Sequence, residues 1–212
     1  MEKKLKKTNH SAKYKADLCD HVIETALKLT AERGWRSLLL KNIAEEAGTT
    51  LEELHRQFST KTAILNAFQQ RIDVSVLASI IEGSTYRDRL FDILMRRFDV
   101  LQPYRDAIRL IARDVGFDPL ATIILGPQLF SSMALMLEAA GINSSGLDGT
   151  FRVKGLMLIY ARALRTWLSD DSPDFSETMA TLDCDLARAE RLAGMLCHSQ
   201  GTNNSSLGAK PT

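Results

Sequence analysis

The sequence has 212 residues, of which 45% are hydrophobic and 25% are charged, and its formal net charge is only +1. This is the composition of a folded globular protein with a sizeable core, so general disorder is excluded. No apolar run approaches the roughly 20 residues that cross a bilayer, and no signal-peptide pattern follows the first lysines. We therefore expect a cytoplasmic protein without stable membrane insertion.

The N-terminal segment is strongly basic. Residues 1–15 carry six lysines and one glutamate, a local net charge of +5, which predicts a flexible basic arm that attracts phosphate. From residue 14 to residue 33, apolar side chains recur every three or four positions, which predicts a helix, and Gly34 is suited to end it.

Two short helices joined by a tight turn follow. Residues 39–47 form the first, and Gly48 stops it; Leu51–Gln57 form the second. We expect the Thr50 hydroxyl to cap the second helix and Glu53 to reach back to the cap. This layout predicts a helix-turn-helix headpiece over residues 16–62, which lays one helix in a DNA major groove.

The headpiece offers several side chains that could hold DNA. Arg56 and Gln57 could contact bases, although a solvated polar surface explains them equally well. Six basic and eight acidic side chains leave residues 16–62 with a net charge of −2, which disfavours a phosphate-binding face. The candidate DNA-binding residues are Lys41, Thr49, Thr50, His55, Arg56, Gln57 and Lys61.

The rest of the chain has the same helical pattern and no convincing strand pattern, so the predicted fold is all-α. A fourth helix begins at Ser59 or Thr60 and ends near Glu82, and a second domain occupies residues 63–198. Its further helices are predicted at residues 86–101, 103–115, 119–140, 147–168 and 173–197. The polar tail, 199–212, is predicted to be disordered.

The last two long helices carry broad apolar faces. On the helix predicted at residues 147–168, the apolar face is predicted to comprise Phe151, Leu156, Ile159, Ala163 and Trp167. Two such neighbouring helices favour an intersubunit four-helix bundle in a homodimer. The alternative is that both faces form the core of a monomer.

Apolar and aromatic side chains on several helices of the second domain could enclose a small apolar or lipid-like ligand, although plain core packing also explains them. The candidates are Met95, Phe98, Phe117, Met133, Met136, Met157, Tyr160 and Trp167.

Catalysis and metal binding have little support. The sequence has no phosphate-binding glycine loop, no nucleophile elbow and no zinc-protease motif, and its four histidines are scattered. Cys19, Cys184 and Cys197 lack metal-ligand spacing. We therefore expect a protein that is not an enzyme and that needs no cofactor or metal.

Residues 22–65 resemble the DNA-binding domain of the TetR family of repressors, and the helical remainder is similar to their ligand-binding and dimerisation domain. The matching positions are Ala26, Leu29, Gly34, Ile43, Ala44, Ala47, Gly48, Leu54, Phe58, Lys61 and Leu65. The resemblance implies a homodimer that binds a palindromic operator in double-stranded DNA and responds to a small molecule. It implies the fold more strongly than the activity, because these positions are framework.

The DNA-facing positions depart from the family pattern. Leu39 stands where the family usually has a capping threonine, Leu51, Glu52 and Glu53 replace Lys-Gly-Thr, and His55 replaces a tyrosine. Two carboxylates near a phosphate backbone repel it, although glutamate can accept a hydrogen bond from cytosine.

A second resemblance covers part of the last third of the chain. Residues 165–175, with Thr178, Leu182 and Asp183, are similar to the TetR-like lipid-binding accessory proteins of ubiquinone biosynthesis, which share the fold and do not bind DNA. Their C-terminal amphipathic membrane helix has no counterpart in the polar tail of this chain. The alternative function is therefore binding of a lipid or isoprenoid.

Overall fold

The computed structural model describes the backbone of residues 2–78, 80–116 and 119–203, and the side chains of residues 15–78, 80–114 and 126–192. This part of the chain is helical and contains no strand, which confirms the all-α prediction. The helices are α1 (Glu2–Arg33), α2 (Leu40–Glu46), α3 (Leu51–Gln57), α4 (Lys61–Leu77), α5 (Tyr86–Leu101), α6 (Arg105–Gly116), α7 (Pro119–Ala139), α8 (Gly146–Ser169) and α9 (Ser176–Asn203), with a 3-10 turn at Gln102–Tyr104.

The chain forms two compact units. The first consists of Met1–Ser75 and Val100–Ser132, and the second of Val76–Asp99 and Met133–Thr212. The first unit thus extends past the end of the predicted headpiece at residue 62, because α6 packs against α1.

Helix boundaries differ from the prediction at both ends of the chain. The backbone of α1 is helical from Glu2, so residues 2–13 continue the helix instead of forming an irregular arm. Lysine, leucine and alanine are good helix formers, and this segment contains neither glycine nor proline. At the other end, α9 continues through residues 199–203 of the predicted disordered tail. Residues 204–212 lie outside the described part.

Three internal boundaries also differ. Helix α4 ends at Leu77 and not near Glu82. The Glu82 backbone N–H instead donates to Asp92 Oδ2 at 3.0 Å. The predicted helix at 103–115 is divided into the 3-10 turn and α6. Helix α9 starts at Ser176, three residues after the predicted position.

The first unit has a buried apolar core. In this unit α2 packs against α1, and α3 packs against α2. Each of these short helices has seven residues, too few to be stable without packing. The buried side chains of α1 to α4 include Val22, Ala26, Leu29, Trp35, Ile43, Leu54, Phe58, Ile64, Phe68 and Ile72.

The second unit has its core along α5, α7, α8 and α9, and α8 packs against α9. On α8, the buried face consists of Val153, Leu156, Tyr160, Ala163 and Trp167. Phe151 is 72% exposed, so the prediction that it lies on the same face as Leu156 and Trp167 was wrong. Phe151 instead shares a separate exposed apolar face with Leu147 and Leu158, at four- and seven-residue spacing.

The link between α8 and α9 depends on the buried carboxylate of Asp170. One oxygen accepts hydrogen bonds from the backbone N–H and hydroxyl of Ser172, and the other accepts from the backbone N–H and hydroxyl of Thr178. Burial alone would raise the pKa of Asp170, but these four hydrogen bonds outweigh it and lower the pKa to about 2.

None of the helices in the described part is long and apolar enough to cross a bilayer. Among the side chains that the structure describes, no three His, Cys, Asp or Glu residues are placed to share a metal ion.

Candidate nucleic-acid interface

The turn between α2 and α3 requires a left-handed residue. Gly48 has a φ of +64°, and the Thr49 backbone N–H donates to the Ala44 carbonyl at 3.0 Å. This is the hydrogen bond by which a glycine commonly closes a helix C-terminus, because a side chain at positive φ is strained. The turn predicted at Gly48 is therefore present.

Two threonines secure the start of α3. The Thr50 hydroxyl accepts a hydrogen bond from the Glu53 backbone N–H at 3.1 Å, as predicted. The Glu53 carboxylate does not reach back to the Thr50 backbone; it accepts from the Thr49 hydroxyl at 3.1 Å. Thr49, Thr50 and Glu53 thus hold the helix in place through their own hydrogen bonds.

Helix α2 begins without a capping side chain, because leucine has no acceptor. Asn42 compensates, since its Oδ1 accepts from the Leu39 backbone N–H at 3.2 Å. The leucine side chain is left 61% exposed, and Leu51 at the start of α3 is 47% exposed. The helix-turn-helix surface therefore carries two accessible apolar side chains beside its polar ones.

The exposed face of α3 presents three polar side chains: Glu52, His55 and Arg56. Within the described residues, none of them makes a side-chain hydrogen bond or an ion pair. Leu54 is buried on the opposite side and anchors the helix. Gln57 is half-buried, and its Oε1 lies 3.9 Å from the Cys19 thiol of α1, so this predicted base-contacting residue turns partly inward.

Ion pairs offset part of the acidic charge of α2. Lys28 Nζ lies 3.3 Å from Glu46 Oε1, and Lys41 Nζ lies 3.7 Å from Glu45 Oε1. Both pairs are exposed, so each contributes little stability. Two of the eight headpiece carboxylates thus have lysine partners.

Lys61 is directed at the loop after α1. Its Nζ donates to the Trp35 carbonyl at 2.9 Å and lies 5.2 Å from the centre of the Trp35 ring. Partial burial lowers the pKa of this ammonium, and the nearby Asp114 carboxylate partly opposes that shift. The Lys61 ammonium is thus engaged by the loop after α1.

An aromatic and charged cluster joins α4 to α1 and to the 3-10 turn. Arg71 pairs with Glu24 at 2.8 Å and donates to the Tyr104 hydroxyl at 3.1 Å, which in turn donates to Glu24 Oε1 at 2.8 Å. The Arg71 guanidinium also lies 5.6 Å from the ring centres of Phe68 and Tyr104. These contacts fix the register of α4 against α1.

The end of α6 contacts the loop that follows α1. Asp114 Oδ2 accepts a hydrogen bond from the Arg36 backbone N–H at 3.0 Å. This hydrogen bond, with the charge of Arg113, lowers the pKa of the Asp114 carboxyl. Neither this contact nor the Arg71 cluster is predictable from the sequence, because the partners are 33 to 80 residues apart and leave no local signal.

The candidate ligand-binding residues divide into three groups. Phe98 stacks on Tyr160 and Trp167, with ring centres 5.7 Å and 5.6 Å apart, so these three form one cluster in the second unit. Met133 and Met136 are fully buried in that unit, whereas Met95 and Met157 are half-buried. Phe117 lies outside the described residues. As it stands, this cluster is packed as a core.

Comparison with known proteins gives a consistent result. Residues 22–68 match the family model described as bacterial regulatory proteins, tetR family. No curated protein is detectably similar in sequence.

Several solved structures share the fold. A TetR transcriptional regulator from Nitrosomonas europaea is 21% identical, with a TM-score of 0.66 over 82% of this chain and 98% of that one. A TetR transcriptional regulator from a Rhodococcus species is 18% identical, with a TM-score of 0.59 over 81% and 97%. A TetR-family regulator from Streptomyces coelicolor is 16% identical, with a TM-score of 0.57 over 87% and 88%. The chain thus carries the N-terminal domain of the TetR family of bacterial regulatory proteins on the TetR fold.

Proposed function

We propose that this protein is a transcriptional regulator that binds double-stranded DNA by placing α3 in the major groove. The observation that carries the proposal is the exposed Arg56, which stands on the second helix of a helix-turn-helix and is not ion-paired within the described residues. A free guanidinium on that helix can donate two hydrogen bonds to the O6 and N7 atoms of guanine.

Five of the eight acidic side chains of the headpiece have a basic or hydrogen-bonding partner in the folded protein. Glu45 and Glu46 are paired with lysines, Asp20 and Glu24 face Arg71, and Glu53 is hydrogen-bonded to Thr49. Lys41 and His55 are exposed and could approach phosphates. Lys28 and Lys41 are already included in the net charge of residues 16–62, whereas Arg71 lies outside that segment and adds a positive charge beside Asp20 and Glu24.

The test is fluorescence polarisation with the full-length protein and duplex DNA from its own upstream region, compared with scrambled duplex across a salt series. We expect tighter binding to the native duplex and a steep dependence on salt. Arg56→Ala should weaken specific binding by about 1–3 kcal/mol. Arg33→Ala, at an exposed arginine in the last turn of α1, is the matched control. Equal affinity of Arg56→Ala and wild type would refute the role of Arg56.

The operator-bound form is proposed to be a homodimer that uses α8 and α9. The support is the exposed apolar face of Leu147, Phe151 and Leu158 on α8, together with the 61% exposed Leu192 on α9. Apolar side chains at this spacing on a water-facing helix are typical of an interface with a second copy. Such a dimer would present two copies of α3 to a palindromic site.

Sedimentation velocity tests the dimer. Phe151→Glu should shift the protein to the monomer, because the charge would be buried without a partner at the interface. Val74→Glu introduces the same change at a residue that is 70% exposed on α4 and should leave the dimer intact. A dimer that survives Phe151→Glu would place the interface elsewhere.

The effector is proposed to be a small apolar or lipid-like molecule that binds around Phe98, Tyr160 and Trp167. Aromatic and methionine side chains from several helices favour an apolar ligand. A ligand shifts operator affinity only by its differential affinity for the two states of the protein. In a Trp35→Phe background, Trp167 is the remaining tryptophan, so its emission would report ligand entry. Unchanged emission with a ligand that alters DNA affinity would exclude this location.

The alternative function is binding of a lipid or isoprenoid without DNA binding. The observations that favour it are the exposed Glu52 on α3 and the inward direction of Lys61. Native mass spectrometry of the purified protein distinguishes the two functions when it is combined with the DNA titration. A co-purified lipid together with equal binding to native and scrambled DNA would support the alternative.

A further inference from the structure

The two adjacent glutamates of α3 have different structural roles. Glu53 is half-buried, its carboxylate accepts the Thr49 hydroxyl and its backbone N–H is capped by Thr50, so it is part of the scaffold. Glu52 is exposed and makes no hydrogen bond or ion pair within the described residues. Of the two carboxylates that replace family residues at the start of α3, the structure thus leaves only Glu52 available to meet a base.

Glu52 and Arg56 share the exposed face of α3, one helical turn apart. A glutamate four residues before an arginine ordinarily forms a favourable ion pair on a helix surface. Here the two side chains are not paired, so one strong acceptor and one strong donor point outward side by side. Their separation along the helix axis is about 6 Å, which corresponds to about two base-pair steps.

The geometry points to Glu52 as a specificity-determining residue that reads cytosine. This inference rests on the proposed DNA-binding function and deepens it. A carboxylate only accepts hydrogen bonds, and the amino donors in the major groove are cytosine N4 and adenine N6. Adenine N6 lies between two acceptors, its own N7 and O4 of the paired thymine, and both repel the second carboxylate oxygen, whereas cytosine N4 has an acceptor on one side only, O6 of the paired guanine. Cytosine is therefore the preferred partner of Glu52.

Guanine and thymine present only acceptors, or an acceptor and a methyl group, on their major-groove edges. At such a base, Glu52 would be desolvated without a hydrogen bond, and the phosphates would repel it. Glu52 would thus lower the affinity for most DNA sequences but not for those with a cytosine opposite it. Such a penalty against the wrong sequences produces selectivity. With Arg56 on guanine, the half-site is expected to contain two G·C pairs within about two base-pair steps.

The experiment is selection of duplexes from a random library by the full-length protein. Wild type should enrich a half-site with a fixed cytosine and a fixed guanine in this spacing. Replacing that cytosine by thymine should cost wild type about tenfold in affinity and Glu52→Ala less than twofold. Glu52→Ala should also bind scrambled duplex more tightly than wild type does. Glu52→Gln should enrich adenine in place of cytosine, because an amide can donate to N7 and accept from N6.

The matched control is Glu32→Ala, which removes an exposed carboxylate from α1 and should leave the enriched sequence unchanged. Thermal unfolding of each variant establishes that α3 is intact. If Glu52→Ala enriches the same half-site as wild type, the inference about Glu52 is overturned while DNA recognition stands. If wild type enriches no sequence at all, the proposed function itself fails, and the inference fails with it.

Discussion

Asp114 and Arg36 are joined by a hydrogen bond of 3.0 Å between a carboxylate oxygen near the end of α6 and a backbone N–H in the loop after α1. The two residues are 78 positions apart in the sequence. Because the acceptor is a side chain and the donor is backbone, this contact can be removed without changing the loop sequence.

Asp114→Ala is expected to lower the free energy of unfolding by about 1 kcal/mol, because the Arg36 N–H loses a charged acceptor. Asp114→Asn should cost less, since its amide oxygen can still accept. Urea unfolding midpoints measure both effects. Asp17→Ala, at an exposed position of α1, is the control and should be neutral. An unchanged midpoint for Asp114→Ala would mean that the contact does not contribute to stability.

Gly48→Ala tests the turn of the headpiece without a steric complication. A Cβ at this position would meet nothing within 4 Å, so the φ of +64° is the only source of strain. We expect a loss of about 1 kcal/mol for alanine and less for asparagine, which tolerates the left-handed region. Urea unfolding measures both variants. Equal losses for alanine and asparagine would contradict a purely conformational cause.

Lys61→Met should lower stability and leave the salt dependence of DNA binding unchanged. The ammonium is engaged by the Trp35 carbonyl and ring, so its loss is expected to cost about 1 kcal/mol of folding stability. The slope of log affinity against log salt should stay at the wild-type value, because we expect an ammonium held by Trp35 to neutralise no phosphate.

Lys41→Met is the matched control for that experiment. Lys41 is exposed and holds only a 3.7 Å surface pair with Glu45. Its replacement should reduce the salt slope by about 1 and leave stability nearly unchanged. If Lys61→Met reduces the slope as much as Lys41→Met does, Lys61 turns to the phosphates when DNA is bound.

Asp170 should contribute to stability in a pH-dependent way. Its folded-state pKa, about 2, is below the ordinary value of 3.8, so the contribution is fully present above pH 3.8 and is lost as the pH falls towards 2. At neutral pH, Asp170→Asn should cost about 2 kcal/mol or more, because the amide also places a donor against donors.

The measurement for Asp170 is the difference in unfolding free energy between wild type and Asp170→Asn from pH 7 down to the acid limit of the folded state. The difference should shrink below about pH 4. Asp174→Asn, at an exposed residue of the same loop, should show no such trend. A difference that is constant across this range would assign the effect to packing and not to the carboxylate charge.

Local chemistry explains why the helix-turn-helix was predictable from the sequence. The glycine at position 48 and the threonine at position 50 act on residues within five positions of themselves, so their roles are visible in the local sequence. The prediction that α1 begins at residue 14 was wrong, because the helix begins at Glu2. The excess of lysines in residues 1–15 predicts a flexible arm, whereas their high helix propensity matches the observed helix.

The contact partners of the charged side chains were not predictable from the sequence. Lys61 and Trp35 are 26 residues apart, and Arg71 and Tyr104 are 33 apart, so only the packed helices bring them together. The same holds for the two glutamates of α3. Glu53 was expected to reach back to the cap at Thr50, but the residue that it contacts is Thr49.

Helix α3 is secured in the headpiece by very little apolar surface. Its seven residues include one buried side chain, Leu54, and its polar contacts are the Thr50 cap, the hydrogen bond between Thr49 and Glu53, and the Gln57 contact. A helix this short depends on such anchors, so its amide hydrogens should exchange with solvent faster than those of the central part of α1. Contact with a major groove would supply the missing surface, and formation of the complex would therefore slow that exchange.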